Sequence, residues 1–374
     1  MAEIRENIFR GVVGQRRVKK FFVHCLEKNR LAHAYLFQGQ AGVGKDAMAI
    51  SLAMTLNCDR RTSGGCGNCP TCRAMCRLEY PYFRMIMPVP PKPKGMRDEK
   101  YNQILMERAL LHIRDPYREI NFYPELSGLP VIGIDQIRSV KKDVMLRMAG
   151  EGSRVFIISN IERITQEAAN SLLKLLEEPP ERTVLFLTTS FPSRVLKTVI
   201  SRCQVIGFDL LSSEEIESAL IERWGVDKGR AKLYSRMACG SLRKGISFLE
   251  EEFDSYREEA FRFLKNTIMG SRQGSIDAMD RLSGVENIVE AKRILELTQI
   301  LLRDMFLVRN GLRERVMNSD LLGEIEKFQE GVSFFDYDKG TELITRAVTE
   351  IERNIHLPLV VYSLGMELFK CLKS

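Results

Sequence analysis

The chain has 374 residues, 44% of them hydrophobic, enough for two or three domains with cores of their own. Its formal net charge of +7, from 56 Lys+Arg against 49 Asp+Glu, permits contact with nucleic acid without demanding it. No apolar run is long enough to cross a bilayer and MAEIRENIFRG lacks the apolar centre of a signal peptide, so a cytoplasmic protein with no membrane partner is expected.

Val18, Phe21, Phe22, Cys25 and Leu26 recur at the spacing of one helix face. AYLFQG (34–39) reads as a strand, followed by a glycine-rich loop and a helix, DAMAISLAMTLN. A cysteine cluster comes next, then MPVPPKPKG, whose prolines predict a stiff extended linker. EKYNQILMERALLHI beyond it reads as helical, and the region of about 80–130 as an insertion. IDQIRSVKKDVM (helix), RVFIIS (strand), TQEAANSLLKLLEE (helix stopped by Pro179 and Pro180), TVLFLTTS (strand) and QVIGF (strand) follow. Strands separated by helices predict an α/β core, residues 1–210, with a mainly parallel sheet. A capping box at Ser212–Glu215 then opens an all-helical remainder, with a hinge expected at Gly270–Ser275 that divides it into 211–272 and 273–374. His33 is expected to pack as a structural histidine, and Trp224 and Phe248 to lie in cores.

The loop GQAGVGKDA, Gly39 to Ala47, has the form of a phosphate loop. Gly39, Gly42 and Gly44 allow the tight turn that points consecutive N–H groups inward, and Lys45 would neutralise the outer phosphates. The bland alternative is a glycine-rich turn beside a surface lysine. The next position, normally a hydroxyl residue serving Mg²⁺, is Asp46, which sets negative charge beside the phosphates. The end of RVFIIS carries Ser159 and Asn160 where an acid pair would hold the metal and orient water, and Glu162 reads as a surface residue. The expectation is weak or absent ATP binding and no intrinsic turnover.

Nine cysteines are present, five of them from Cys58 to Cys76. In a reducing compartment such a cluster reads as metal ligands. Cys58, Cys66, Cys69 and Cys72, spaced C-x7-C-x2-C-x2-C, would meet one tetrahedral zinc, with Gly64, Gly65 and Gly67 supplying tight turns. Cys66, Cys69, Cys72 and Cys76 form the alternative set, and free thiols in a loop the bland one. With four protein ligands, the role is structural.

VVGQRRVKKFF, NRLAHAYLFQGQAGVGKDA and the long run from Ala168 to Gln204, with its LLKLLEEPP and SRC, resemble the bacterial clamp-loader subunits of the AAA+ superfamily. The resemblance covers about 10–80 and 130–250. It implies a zinc module at about 58–76, a helical lid at 211–272 and a helical collar at 273–374. It favours the cysteine set with Cys58. It further implies a ring that uses ATP to open a sliding clamp and place it on primed DNA within the DNA polymerase III holoenzyme. Gamma/tau motor and delta subunits would be the partners. The degenerate loop and the missing acids resemble the family's non-hydrolysing subunit type. The resemblance assigns Arg202 of Ser201-Arg202-Cys203 as an arginine finger reaching a neighbour's ATP, and Thr189 and Arg243 as sensor positions of a vestigial nucleotide site. Local reading alone makes Arg202 a helix-end arginine bonded to nearby carbonyls, and Thr189 a strand-end hydroxyl bonded to backbone. Two other functions stay open: an ATP-hydrolysing gamma/tau-like motor, and a zinc-containing DNA-binding module.

Overall fold

A computed structural model describes residues 9, 11–60, 64–122, 125–144, 148, 152–249, 253–285, 288–332, 334–353 and 355–372. Its contacts divide the chain into two compact units, Met1–Ser247 and Phe248–Ser374.

In the first unit α1 (Arg16–Glu27) leads to β1 (Ala34–Gln38), the glycine-rich loop and α2 (Lys45–Asn57). The cysteine turn and α3 (Pro70–Cys76) follow, then β2 (Phe83–Ile86), α4 (Asp98–Arg114) and α5 (Ile134–Val144). The core closes with β3 (Arg154–Ile158), α6 (Gln166–Glu177), β4 (Thr183–Thr189), α7 (Lys197–Ile200) and β5 (Gln204–Gly207). The five strands form one parallel sheet in the order β2-β3-β4-β1-β5. β3 and β4 are buried along their whole length, as continuous apolar strands covered on both faces should be. On one face Phe22 of α1 meets Tyr35 with ring centroids 5.1 Å apart, and Tyr35 stacks on Phe186 at 5.7 Å. On the other, Leu36, Phe156, Ile158, Leu185 and Leu187 pack against Ile137, Val140, Leu172 and Leu176 of α5 and α6.

Four of these strands are the predicted ones. β2 is not: the region read as insertion from about residue 80 contributes an edge strand, Phe83 pairing with Val155 and Ile86 with Ile158. Only then does the chain leave the sheet, along the extended proline run. It returns through α4, on a small core of Met87, Ile104, Phe122 and Leu126, and a bridge between Val89 and Val131. Three helices, α8 (Ser213–Trp224), α9 (Lys228–Met237) and α10 (Leu242–Ser247), complete the first unit. The predicted capping box opens α8, with Ser212 Oγ accepting from Glu215 N at 3.2 Å and Glu215 Oε2 from Ser212 N at 3.0 Å.

The second unit contains α11 (Phe253–Met269), α12 (Arg272–Ser283), α13 (Ile288–Arg309), α14 (Leu322–Glu330), α15 (Tyr337–Glu352) and α16 (Leu357–Lys370). α13 packs on α11 and α15, and α12 on α11 and α16. The expected hinge at Gly270–Ser275 therefore lies inside this unit, where Ser271 caps α12 and α11 packs on α12. The division falls at Ser247/Phe248, not 272/273, because the apolar face of α11 (Phe263, Leu264, Ile268) is buried within the second unit. Phe248 is buried as expected, Trp224 is only half-buried and His33 is exposed, its backbone carbonyl accepting from Leu185 N at 2.8 Å. No helix among the described residues is long and apolar enough to cross a membrane.

Candidate functional site

The parallel register brings the carboxyl ends of β1, β3 and β4 to one edge, where open α/β sheets place their ligands. The glycine-rich loop leaves β1 there, tied to β4 by Gly39 N donating to Thr189 O at 3.3 Å. Gly42 and Gly44 have φ of +81° and +100°, the left-handed region that favours glycine. The expected strand, loop and helix N-terminus are all present.

Asp46, at the start of α2, is buried among polar side chains from three other segments. Its Oδ1 accepts from Thr188 Oγ1 at 2.7 Å and from Ser159 Oγ at 3.1 Å. Its Oδ2 lies 2.9 Å from Nε2 of His112, a residue of α4, and the tautomer that carries its proton on Nε2 satisfies this contact. Burial opposes ionisation of Asp46, but the hydrogen bond and attraction of His112, the hydrogen bond from Thr188 and the Lys45 charge outweigh it. They hold the carboxyl well below its usual range. His112 Nδ1 is buried with no hydrogen-bond partner among the described residues. The carboxylate stands on the loop and the hydroxyl at the end of β3, the reverse of the arrangement that holds Mg²⁺ in a working phosphate loop.

Lys45 turns back on its own loop, donating to Gly39 O at 2.7 Å, Gln40 O at 2.8 Å and Ser190 Oγ at 3.1 Å. Burial pushes its ammonium down to about 8, with the Asp46 carboxylate opposing. Glu162 is half-buried and not a surface residue; its Oε1 accepts from Ser190 N at 3.3 Å. Of the two threonines ending β4, Thr188 faces Asp46. Thr189, the expected sensor, is buried with its hydroxyl accepting from Phe191 N at 3.1 Å.

Ser241 and Leu242, at the start of α10, bond to the glycine-rich loop. Ser241 Oγ donates to Ala41 O at 2.8 Å and Leu242 N to Gly42 O at 3.1 Å. Arg243 Nε donates to the carbonyl of Tyr117 at 3.2 Å. Tyr117 follows α4, is fully buried, and accepts from Val13 N through its hydroxyl at 2.9 Å. His112 and Tyr117 escaped the sequence reading because they lie 66 and 73 residues beyond Asp46 and Gly44, in no recognised pattern. The usable signal was Asp46 itself, since a carboxylate at a buried helix start must find a partner.

Arg202 sits in the turn between α7 and β5. Its Nη1 donates to Thr198 O at 3.0 Å and its Nη2 to Glu177 Oε1, at the end of α6, at 2.6 Å. About a third of the side chain is exposed, so both bonds are made at an accessible surface.

At the far end of α2, the Sγ atoms of Cys58, Cys66, Cys69 and Cys72 all lie within 4.8 Å of one another. Four sulfurs on a tetrahedral zinc at about 2.3 Å would sit about 3.8 Å apart, so the set fits that ion with small adjustment. Backbone N–H groups point at the sulfurs: Cys66 N at Cys58 Sγ (3.4 Å), Cys69 N at Cys66 Sγ (3.2 Å) and Cys72 N at Cys69 Sγ (3.3 Å). Such donors suit thiolates. Cys76 is outside the cluster, which decides between the two sets. Gly65 has φ +77°, and a Cβ there would lie 2.7 Å from Met54 Cβ, so the turn requires glycine.

The family model for the DNA polymerase III, delta subunit matches residues 14–212. Subunit delta' of DNA polymerase III from Bacillus subtilis (strain 168) is 27% identical over 319 residues, 84% of this chain and 83% of that protein. Subunit tau from the same organism is 26% identical over 253 residues, 66% of this chain but only 38% of tau. A solved gamma subunit-related protein from Thermotoga maritima covers 95% of this chain and 99% of its own at 17% identity, with a TM-score of 0.44.

Proposed function

The chain belongs to the DNA polymerase III delta subunit family of bacterial clamp loaders, and from that premise we propose that it is a non-hydrolysing subunit of the delta prime type. The observation that carries the reading is the engagement of Asp46. In-line attack on a γ-phosphate needs a metal held between the loop and the β3 end, and a polarised water. Here the loop carboxylate is shared among Thr188, Ser159 and His112, and Ser159 and Asn160 offer no charge to a metal. ATP binding is therefore weak or absent, and the vestigial site (Gly39, Gly42, Gly44, Lys45, Asp46, Thr189, Arg243) serves to hold the loop and lid together.

The functional residue is then Arg202, donated to the ATP site of a neighbouring gamma/tau motor. Its accessible position supports this: docking would exchange Glu177 for the γ-phosphoryl, placing fixed positive charge where negative charge spreads. Delta subunits, the sliding clamp and primed DNA would be met through the assembled complex. Residues 211–247 act as the lid and the helices of the second unit as the collar. Zinc, held by Cys58, Cys66, Cys69 and Cys72, is structural.

A reconstituted complex carrying Arg202→Ala or Lys45→Ala in this chain tests the division of labour. An arginine finger contributes about 10³–10⁵ in rate at the site it completes. Only one site of several depends on this chain, so Arg202→Ala should lower DNA-stimulated ATPase partly and clamp loading more severely. Lys45→Ala should do much less. Wild-type loading by Arg202→Ala, or greater damage from Lys45→Ala, would refute the reading. Turnover by the isolated wild-type chain, lost on Lys45→Ala, would identify a motor instead.

A further inference from the structure

We propose that the segment Asp98–Tyr117 is the resident ligand of this chain's own phosphate-loop cleft, and that Tyr117 and His112 decide that the cleft holds protein in place of a nucleotide. The inference rests on the non-hydrolysing reading and adds what keeps the nucleotide out.

A polyphosphate must lie against the N–H groups of the glycine loop and the helix N-terminus behind it. Tyr117 already touches three walls of that cleft. Its hydroxyl accepts from Val13 N at 2.9 Å. The same oxygen lies 2.6 Å from where a Cβ on Gly44 would stand, in direct contact with the loop. Its backbone carbonyl accepts from Arg243 Nε at 3.2 Å, which ties it to α10. The residue is 1% exposed, so the ring fills its space. Five residues earlier, in α4, His112 presents Nε2 to Asp46 at 2.9 Å, where a metal-bound phosphate would have to approach the same carboxylate. His112 is presented by α4, which is seated on a small core with Ile104, Phe122 and Leu126, and Tyr117 by the turn that follows α4. Ser241 and Lys45 crowd the loop further. A Cβ on Gly42 would stand 2.3 Å from Ser241 Oγ, and the Lys45 ammonium is spent on Gly39 O, Gln40 O and Ser190 Oγ.

If loop chemistry alone excluded nucleotide, restoring a hydroxyl at position 46 would suffice. If the segment excludes it, the ring of Tyr117 must also go. Titration of full-length protein with a fluorescent ATP analogue and Mg²⁺ separates these. Wild type and Asp46→Thr should show no saturable binding. Asp46→Thr combined with Tyr117→Ala should bind at least tenfold more tightly than either single variant. Asp46→Thr binding as tightly as the double variant overturns the inference, and so does a double variant that melts cooperatively yet binds nothing. Tyr117→Phe supplies a test that does not require opening the cleft. It removes only the hydroxyl, so the Val13 amide should lose protection from hydrogen exchange while nucleotide stays out. Unchanged protection of Val13 overturns the placement of Tyr117. Phosphate release by wild type would overturn the non-hydrolysing reading and this inference together, whereas tight binding by Asp46→Thr alone overturns only the inference.

Discussion

The two ends of α2 carry two glycine-rich loops that meet opposite fates. At its N-terminus the charged side chains of the glycine-rich loop find partners inside the chain. Asp46 is satisfied by Thr188, Ser159 and His112, and Lys45 by its own loop and Ser190. At its C-terminus four sulfurs face one another, with backbone N–H groups directed at them. A buried cluster of thiolates is stable only with a cation at its centre. One loop has its charged side chains paired within the chain, whereas the other gathers four sulfurs at a spacing that fits one metal ion. A familiar motif shows where a site is; the segments that fold over it determine what the site does.

Metal removal should break this contrast most severely. One zinc should co-purify per chain, and Cys69→Ser with Cys72→Ser should lose it. Structural zinc in small modules is worth on the order of 10 kcal/mol, so chelation should abolish the cooperative melt of this region. Elemental analysis of the wild type that finds no stoichiometric metal defeats the ion-binding half of the comparison.

Asp46→Ala tests the other half. It strands two hydroxyls and the His112 ring in a buried site, at a cost of about 3–5 kcal/mol in denaturant unfolding. The folded carboxyl lies below its unfolded value, so its stabilisation is complete above an unfolded pKa of about 4 and is lost as pH falls below that. Asp46→Ala should accordingly flatten the fall of stability in that acid window. A variant as stable as wild type at pH 7 would show that the network contributes nothing.

Gly65→Ala perturbs only the cysteine turn. With φ at +77° and Met54 Cβ 2.7 Å from the new methyl, a loss of about 2 kcal/mol and a weaker hold on metal are expected. Competition with a chromophoric chelator measures the second effect, and unaltered zinc affinity would show that the turn adapts.

The effect of Lys45 is confined to alkaline pH. Its folded pKa is lowered from 10.5 to about 8, so the unfolded chain holds more protons between those values and stability should rise with pH across that window. The slope is about 1.4 kcal/mol per pH unit at most. Lys45→Met should remove this rise, and an identical pH profile in wild type and variant would place the ammonium in water.

Local chemistry alone determined much of this protein. Helical periodicity located α1, α5 and α6, apolar runs located four strands, and the Ser212 capping box opened α8 where expected, because each signal is carried by residues within a turn or two of one another. The phosphate loop and the C-x7-C-x2-C-x2-C spacing were legible for the same reason. What remained needed the folded chain. β2 is four residues long with Arg84 exposed on the sheet edge, too short and too mixed to stand out before a proline run. The unit boundary at Ser247 depends on which helices bury the face of α11, a long-range choice. The exclusion of Cys76 required the four sulfurs to be placed in space. Above all, the partners of Asp46 come from α4, β4 and the residue after β3, and Tyr117, which lies against Gly44, comes from beyond α4. Burial obliges a charge to be paired, but only tertiary packing selects the partner, because contacts across 66 to 142 residues leave no periodicity to read.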